Sequence, residues 1–407
     1  MLFVGSGNYL YIENKIMNMK VIVMGCGFGG VEVASKLSKL RKQSKDLNIF
    51  MIDRRARLEY QPAYPEILSG KVTAEEISGD LNKFASKINA EFINEAVINI
   101  DFKAKKVKTS ESEIPYDFLV ISIGAEQTFF GIPGAEELSY SVDTLKGAIA
   151  TKKALDNLDY SKKIRIAVIG AGLAGVEVAG ELVDYFRDRA SAKIYLVERM
   201  PRILPAFPTE NISAYVSKFL SHRGVEILTE TTVQEVNEEE ITFKEGKKLP
   251  YDLIIWTAGI RPNSLLEKLE LPKEKGWLKV DPYLRVEGMT DVFAVGDMVY
   301  FENEGVRSGQ NVEEAERQAK VAAENIIRTI KNLSFKKKAL PKKYYYLYGM
   351  KEEKLRRYRP KNTIQNPRAF ISLGEDKAVI YYGGMMFKAF AYRMKKFVEW
   401  RYMRRFR

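Results

Sequence analysis

The sequence predicts an α/β protein in which one strand, turn and helix unit is used twice and a basic helical tail follows. Two internal repeats and one periodicity carry that reading. Val21-Ile-Val-Met-Gly25-Cys-Gly27-Phe-Gly-Gly30-Val-Glu32-Val-Ala34 returns as Ile166-Ala-Val-Ile-Gly170-Ala-Gly172-Leu-Ala-Gly175-Val-Glu177-Val-Ala179, residue 25 matching residue 170 at an offset of 145. Tyr116-Asp-Phe-Leu-Val-Ile-Ser-Ile-Gly124 is echoed by Tyr251-Asp-Leu-Ile-Ile-Trp-Thr-Ala-Gly259. Near the end of the chain, positions 387, 390, 391, 394, 397, 398 and 402 are apolar or aromatic at the spacing of one helix face.

In each copy an apolar strand runs into G-x-G-x-x-G and then an apolar-periodic helix. The first glycine permits a tight turn, the second lets backbone N–H groups approach a pyrophosphate, and the third lets the helix pack on the strand. The helix N-terminus then faces the phosphate charge. An acid about 20 residues further on should accept hydrogen bonds from a ribose. Asp53 and Glu198 supply it, again 145 residues apart. Gly25, Gly27, Gly30 and Asp53 are therefore expected to hold one dinucleotide, and Gly170, Gly172, Gly175 and Glu198 a second. A carboxylate at 198 suits a free 2′-hydroxyl and repels a 2′-phosphate, which favours NADH over NADPH.

The turns ending in Gly124 and Gly259 close the two units, and Gly124 joins the cofactor-binding candidates. A later strand ends in Gly296-Asp297, before a helical pattern from Val312 to Ile330. This order fits two Rossmann-like dinucleotide-binding domains, the second inserted into the first, plus a small C-terminal region ending in an amphipathic helix. The expected boundaries are 19–140 and 266–335 for the first domain, 141–265 for the inserted one and 336–407 for the C-terminal region. Residues 1–18 make a poor signal peptide and are read as an extension, with Met17 or Met19 the expected true start.

Lys and Arg number 65 against 53 Asp and Glu, a net charge of +12 that directs attention to acidic partners. No nucleic-acid recognition module accompanies it, so nucleic acid is set aside. One cysteine, Cys26, and one histidine, His222, leave no residues for a disulfide framework, a dithiol centre, a Cys/His metal site or a nucleophilic triad. No metal is expected, Cys26 is read as a small packed residue in the phosphate loop, and the chemistry must come from a cofactor. No run of about 18 apolar residues could span a bilayer.

These motifs resemble the flavoproteins with two dinucleotide-binding domains and, among them, the type II (non-proton-pumping) NADH dehydrogenases, over about residues 19 to 407. Tyr60-Gln-Pro-Ala-Tyr-Pro-Glu-Ile-Leu-Ser-Gly70 is similar to the loop beside the flavin. Gly131-Ile-Pro-Gly134 and Arg368-Ala-Phe-Ile-Ser-Leu-Gly374 look like the family's later segments. The resemblance implies FAD on the first unit, with its ribityl chain at Asp297, and NADH on the second. It implies hydride transfer from NADH to FAD, then two electrons to a membrane quinone. The helix near Val312 would point its N-terminus at the flavin. Glu177 is the implied acid/base, although Glu32 holds the equivalent place in the first repeat. Where the family often shows A-Q-x-x-A-x-Q, this chain has Glu313 and Arg317 with Gln318 adjacent, and these three are the quinone-site candidates.

From Lys388 to Arg407 the tail carries eight basic residues against one acid, Glu399. A helix with such charge around an aromatic face suits the plane of an anionic membrane surface. Phe387, Phe390, Met394, Phe397, Trp400 and Tyr402 are the expected membrane-facing residues, with Lys336–Lys338 and Tyr344–Tyr346 joining the same surface. The implied location is peripheral, on the cytoplasmic face of the cell membrane. The same helix could instead pack on the protein's own core or mediate a homodimer. Two other functions stay open: a soluble NADH-dependent reductase of a small electron-carrier protein, and a nucleotide-sensing interaction protein.

Overall fold

The computed structural model describes residues 2–4, 8–10, 19–41, 47–189, 191–337 and 353–407. Following the chain, β1 (Met19–Met24), α1 (Phe28–Leu40) and β2 (Leu47–Ile52) form the first β-α-β unit. After α2 (Tyr64–Ser69), β3 (Glu91–Ile93) and β4 (Phe118–Ile121) complete four parallel strands. The chain then leaves this sheet. β5 (Tyr140–Ser141), β6 (Ile164–Ile169), α3 (Leu173–Phe186), β7 (Ala192–Val197), β8 (Val225–Leu228) and β9 (Leu253–Trp256) build a second all-parallel sheet in the order β5-β9-β6-β7-β8. Then β10 (Val292–Ala294) returns to pair with β4, giving the first sheet the order β10-β4-β1-β2-β3.

The sequence repeat is thus a structural repeat: β4-β1-β2-β3 has the topology of β9-β6-β7-β8. Continuous apolar runs such as Val21–Met24 and Leu253–Trp256 are buried along their length, as strands of parallel sheets covered on both faces must be.

α4 (Val312–Lys337) packs along α1, a long polar-faced helix whose buried stripe is Ala315, Ala319, Ala322, Ala323, Ile326 and Ile330. The C-terminal region is an antiparallel sheet of β11 (Ala369–Gly374), β12 (Lys377–Tyr382) and β13 (Met385–Phe387), followed by α5 (Ala391–Met403). The expected helix is therefore shorter than its periodicity suggested. Phe387 belongs to a strand, and Phe390 caps the helix with φ of 58°, in the left-handed region. Lys338 and Tyr344–Tyr346 lie outside the described residues, as do the side chains of Lys336 and Lys337 and most of residues 1–18. Among the described residues, no helix is long and apolar enough to cross a membrane.

The C-terminal sheet sits directly on the second unit. A Cβ placed on Gly180 of α3 would fall 2.5 Å from the carbonyl carbon of Leu373 in β11. In a free helix Gly→Ala stabilises by up to about 1 kcal/mol. Here overpacking dominates, and Gly180→Ala should lower unfolding stability by about 1–3 kcal/mol in chemical denaturation.

Candidate active site

Both glycine turns are built by steric necessity. Gly25 and Gly170 take φ of 89° and 98°. A Cβ on Gly30 would lie 1.9 Å from the Gly25 carbonyl oxygen, and one on Gly175 1.8 Å from that of Gly170, so helix and strand could not close with any larger residue. Each turn is also tied from the neighbouring strand. Ser122 Oγ donates to the carbonyls of Met24 (2.9 Å) and Gly25 (2.7 Å), and Thr257 Oγ1 to those of Ile169 and Gly170 (both 2.9 Å). The sequence signal for this is the small hydroxyl residue two before Gly124 and Gly259. Gly27 and Gly172 face open space, where a diphosphate can approach backbone N–H groups.

The two acids brace the same turns. Asp53 accepts from the backbone N–H of Cys26 (2.7 Å) and Arg55 (2.8 Å), and Glu198 from those of Ala171 and Met200 (both 2.9 Å). Each carboxylate spends one lone pair on each N–H and retains others for a ribose hydroxyl. Cys26 is buried between these groups, and burial pushes its thiol well up from its ordinary value.

Over the first turn lies a cavity of about 460 Å³, lined by Gly25, Gly27, Asp53, Gly124 and Asp297 and by Phe28, Val312 and Ala315. Ile260 and Asn263, just past the Gly259 turn of the second unit, also reach it. Desolvation pushes the Asp297 carboxyl up to about 6. The N-terminal turn of α4 opens on the cavity and favours negative charge there. A diphosphate-facing glycine turn, an acid for a ribose, a second acid for a polyol and a positive helix end together suit a flavin dinucleotide.

Glu177 sits in a buried ion network. It accepts from the Ser372 N–H (2.9 Å) and from Lys395 Nζ of α5 (2.9 Å). Lys395 Nζ also lies 3.2 Å from Glu66 Oε1 of α2, Glu66 Oε2 is 2.9 Å from Lys396 Nζ, and Lys396 is 2.7 Å from Glu399. Desolvation raises the Glu177 carboxyl despite the opposing Lys395 charge, while Lys395 and Lys396 hold Glu66 below its ordinary value against the same burial. Glu32, the repeat partner of Glu177, instead meets Arg405 at 2.9 Å, just past the end of α5. Lys395 and Glu66 were not singled out from sequence: Lys395 read as one more tail cation, and Glu66 as part of the loop motif.

The other candidates are engaged within the protein. Gln318 is buried, its Oε1 accepting from the Gly296 N–H (2.7 Å), which fixes the Gly296-Asp297 turn. Glu313 pairs with Arg368 at 3.3 Å, and Arg317 with Glu314 at 3.4 Å and the Arg359 carbonyl at 3.0 Å. Val312 and Ala315 are the positions of this helix turn that line the cavity. In α5, Met394, Phe397 and Trp400 are exposed, as are Phe387 and Phe390 before it. Tyr402, expected on that outer face, is turned inward at 8% exposure against Phe28 and Tyr60, because the helix continues past the end of the sheet onto the first unit.

The family pattern of the pyridine nucleotide-disulphide oxidoreductases matches residues 19–321. The chain is 31% identical to demethylphylloquinone reductase NdbB of Synechocystis over 290 residues, covering 68% of this chain and 71% of that protein. It is 28% identical to a type II NADH:quinone oxidoreductase of Staphylococcus haemolyticus over 303 residues, 69% of this chain and 75% of that one. The structure of NDH2 from Plasmodium falciparum in complex with NADH superposes with a TM-score of 0.78 at 19% identity, over 96% of this chain and 97% of that one, which shows a shared fold.

Removing Lys395 tests the network. Lys395→Met deletes the charge that holds the Glu177 carboxyl down, so that carboxyl rises further above its ordinary value of 4.5. A carboxyl raised in the folded state costs stability once the unfolded chain ionises and the folded one does not. The variant should therefore lose little at pH 4 and about 3–5 kcal/mol by pH 8, falling as pH rises, in thermal melts across that range.

Proposed function

The chain belongs to the pyridine nucleotide-disulphide oxidoreductase family, and from that premise we propose that it is an FAD-dependent NADH:quinone oxidoreductase working at a membrane surface without pumping protons. FAD, when bound, would supply the two-electron chemistry between NADH and a quinone. The observation that carries the reading is the cavity over the first glycine turn, which Ile260 and Asn263, just past the Gly259 turn that closes the second unit, also line, so that the two units meet at the flavin space. With one cysteine, buried in the phosphate loop, the chain has no dithiol to pass electrons through, which favours an acceptor outside disulfide chemistry.

In this reading the protein's own residues bind, orient and set charge. Gly25, Gly27 and Gly30 receive the FAD diphosphate, Asp53 its adenosine ribose and Asp297 its ribityl hydroxyls, while Gly170, Gly172, Gly175 and Glu198 take NADH. The α4 N-terminus favours negative charge on the flavin ring. Glu177, desolvated and raised, acts as an acid/base whose charge Lys395 balances.

The exposed apolar ridge supports a membrane location. Phe390 at 71% exposure, Phe397 at 57% and Trp400 at 45% stand among outward-pointing Lys388, Arg393, Arg401 and Arg404. Lys395, Lys396 and Arg405 are turned in and paired with acids. Apolar burial plus about 1 kcal/mol per outward cation suits an anionic bilayer surface, and we assign it to the cytoplasmic face, where NADH is supplied.

Purified holoprotein should oxidise NADH with stoichiometric reduction of a short-chain quinone; rapid flavin reduction with electrons passing solely to a small carrier protein would overturn the reading. Glu177→Gln should lower turnover about 10²-fold with flavin content unchanged. Phe397→Ser/Trp400→Ser should abolish cosedimentation with anionic vesicles while preserving turnover of a soluble quinone. A protein that instead loses concentration-dependent self-association in this variant uses the ridge as a homodimer interface.

A further inference from the structure

Two consecutive phenylalanines at the junction of the units part company. Phe129 packs 5.6 Å from Trp256 against the second unit's core, centroid to centroid. Phe130 is 57% exposed and takes φ of 56°, a left-handed conformation that is unfavourable for any residue with a side chain. Such backbone persists only where the surroundings hold it. Here the Phe130 N–H donates to Thr128 Oγ1 (3.1 Å), the Thr128 N–H donates to the Gly259 carbonyl (3.4 Å) and the Trp256 indole N–H donates to the Thr128 carbonyl (3.0 Å). The backbone is fastened to the second unit, while the aromatic ring stands at its surface.

What the ring covers follows from the repeat. Gly124 and Gly259 end equivalent turns, two residues after Ser122 and Thr257, with φ of 71° and 76°, so a Cβ would leave both in the same sense. At Gly124 that atom would meet nothing within 4 Å, and the residue lines the flavin cavity. At Gly259 it would run into the end of the Phe130 ring. In the second unit the ring therefore fills the place that the first unit leaves open to its dinucleotide. Ile260, the next residue, lines the flavin cavity, whereas Glu198 stands at the adenosine end. The covered end is thus the one nearer the flavin, where a nicotinamide belongs.

We infer that the Phe130 ring is a displaceable plug at the nicotinamide end of the NADH site, which must swing off Gly259 before the dinucleotide seats fully. The inference rests on the NADH:quinone reading above and names a residue that sets NADH affinity within it. An exposed side chain changes rotamer in picoseconds to nanoseconds, so the motion does not limit turnover. It does weaken binding, because a ligand that needs the ring aside meets only the fraction of molecules in which it is aside.

The test uses oxidised holoenzyme, the variant Phe130→Ala, and NAD+ and ADP as calorimetric ligands, with flavin reduction by NADH followed in rapid mixing. ADP carries the adenosine and diphosphate but ends before the nicotinamide ribose. Phe130→Ala should tighten NAD+ about fivefold, the factor expected if the ring stands aside in about one molecule in five. It should speed flavin reduction at low NADH by the same factor, leave the rate at saturating NADH unchanged, and leave ADP bound as in the wild type. Weaker NAD+ binding in the variant would make the ring a supporting surface and overturn the plug. An equal change for NAD+ and ADP would place its effect on the whole unit and overturn it as well. Unchanged NAD+ affinity, in a variant that still passes electrons from NADH to quinone, would overturn the plug and leave the NADH:quinone reading standing. Failure of NADH to reduce the flavin of the wild-type holoenzyme would remove that reading and the plug with it.

Discussion

One buried ammonium joins three distant parts of this chain. Lys395 of α5 lies between Glu177, on the helix that follows the second glycine turn, and Glu66, on the helix beside the first unit's cavity. Taking two carboxylates and an ammonium out of water is expensive, and such clusters are weak evidence of net stability. Their effect is on registry. Any shift of α5 along its axis would leave Glu177 desolvated without a counter-charge, so the tail has one place to sit. Lys396 and Glu399 extend the same constraint toward solvent, and Arg405 anchors the end of the chain to Glu32.

That constraint breaks the symmetry of the repeat. The two units share strand order, glycine geometry, bracing acid and the hydroxyl that ties the turn. They differ in what covers the helix after the turn. In the first unit α4 packs on α1, and Glu32 meets cations at its rim; in the second, β11 closes on α3 at Gly180 and brings Ser372 and Lys395 to Glu177. Two equivalent glutamates thus acquire different surroundings, and burial raises the Glu177 carboxyl. Duplication supplied two dinucleotide sites, and the C-terminal region made them unequal.

The tail helix is amphipathic in an inverted sense. Its inward face carries Lys395, Glu399 and Tyr402, and its outward face Met394, Phe397 and Trp400. A surface helix of an ordinary globular domain buries its apolar stripe. This one can afford a charged inward face because acids from both units meet its cations, and it leaves the aromatic stripe to solvent or lipid. The exposed ridge and the ion network are consequently two faces of a single element.

Much of this was legible in the residues. Two G-x-G-x-x-G turns at a fixed offset, each with strand, helix and matched acid, determine two dinucleotide units, because a turn that must pass a diphosphate and close a helix onto a strand tolerates few alternatives at those positions. The later return of a strand ending in Asp297 determined the insertion. What the sequence could not state was which side of each helix faces inward, since periodicity marks a stripe and not its partner. So Tyr402 read as membrane-facing and is buried, Gln318 read as a quinone-site candidate and accepts from the Gly296 N–H, and Lys395 read as one more tail cation and is the ammonium at the centre of the network. Those placements were decided by tertiary contacts between residues far apart in the chain, where burial makes an unpaired charge costly and so selects the partner.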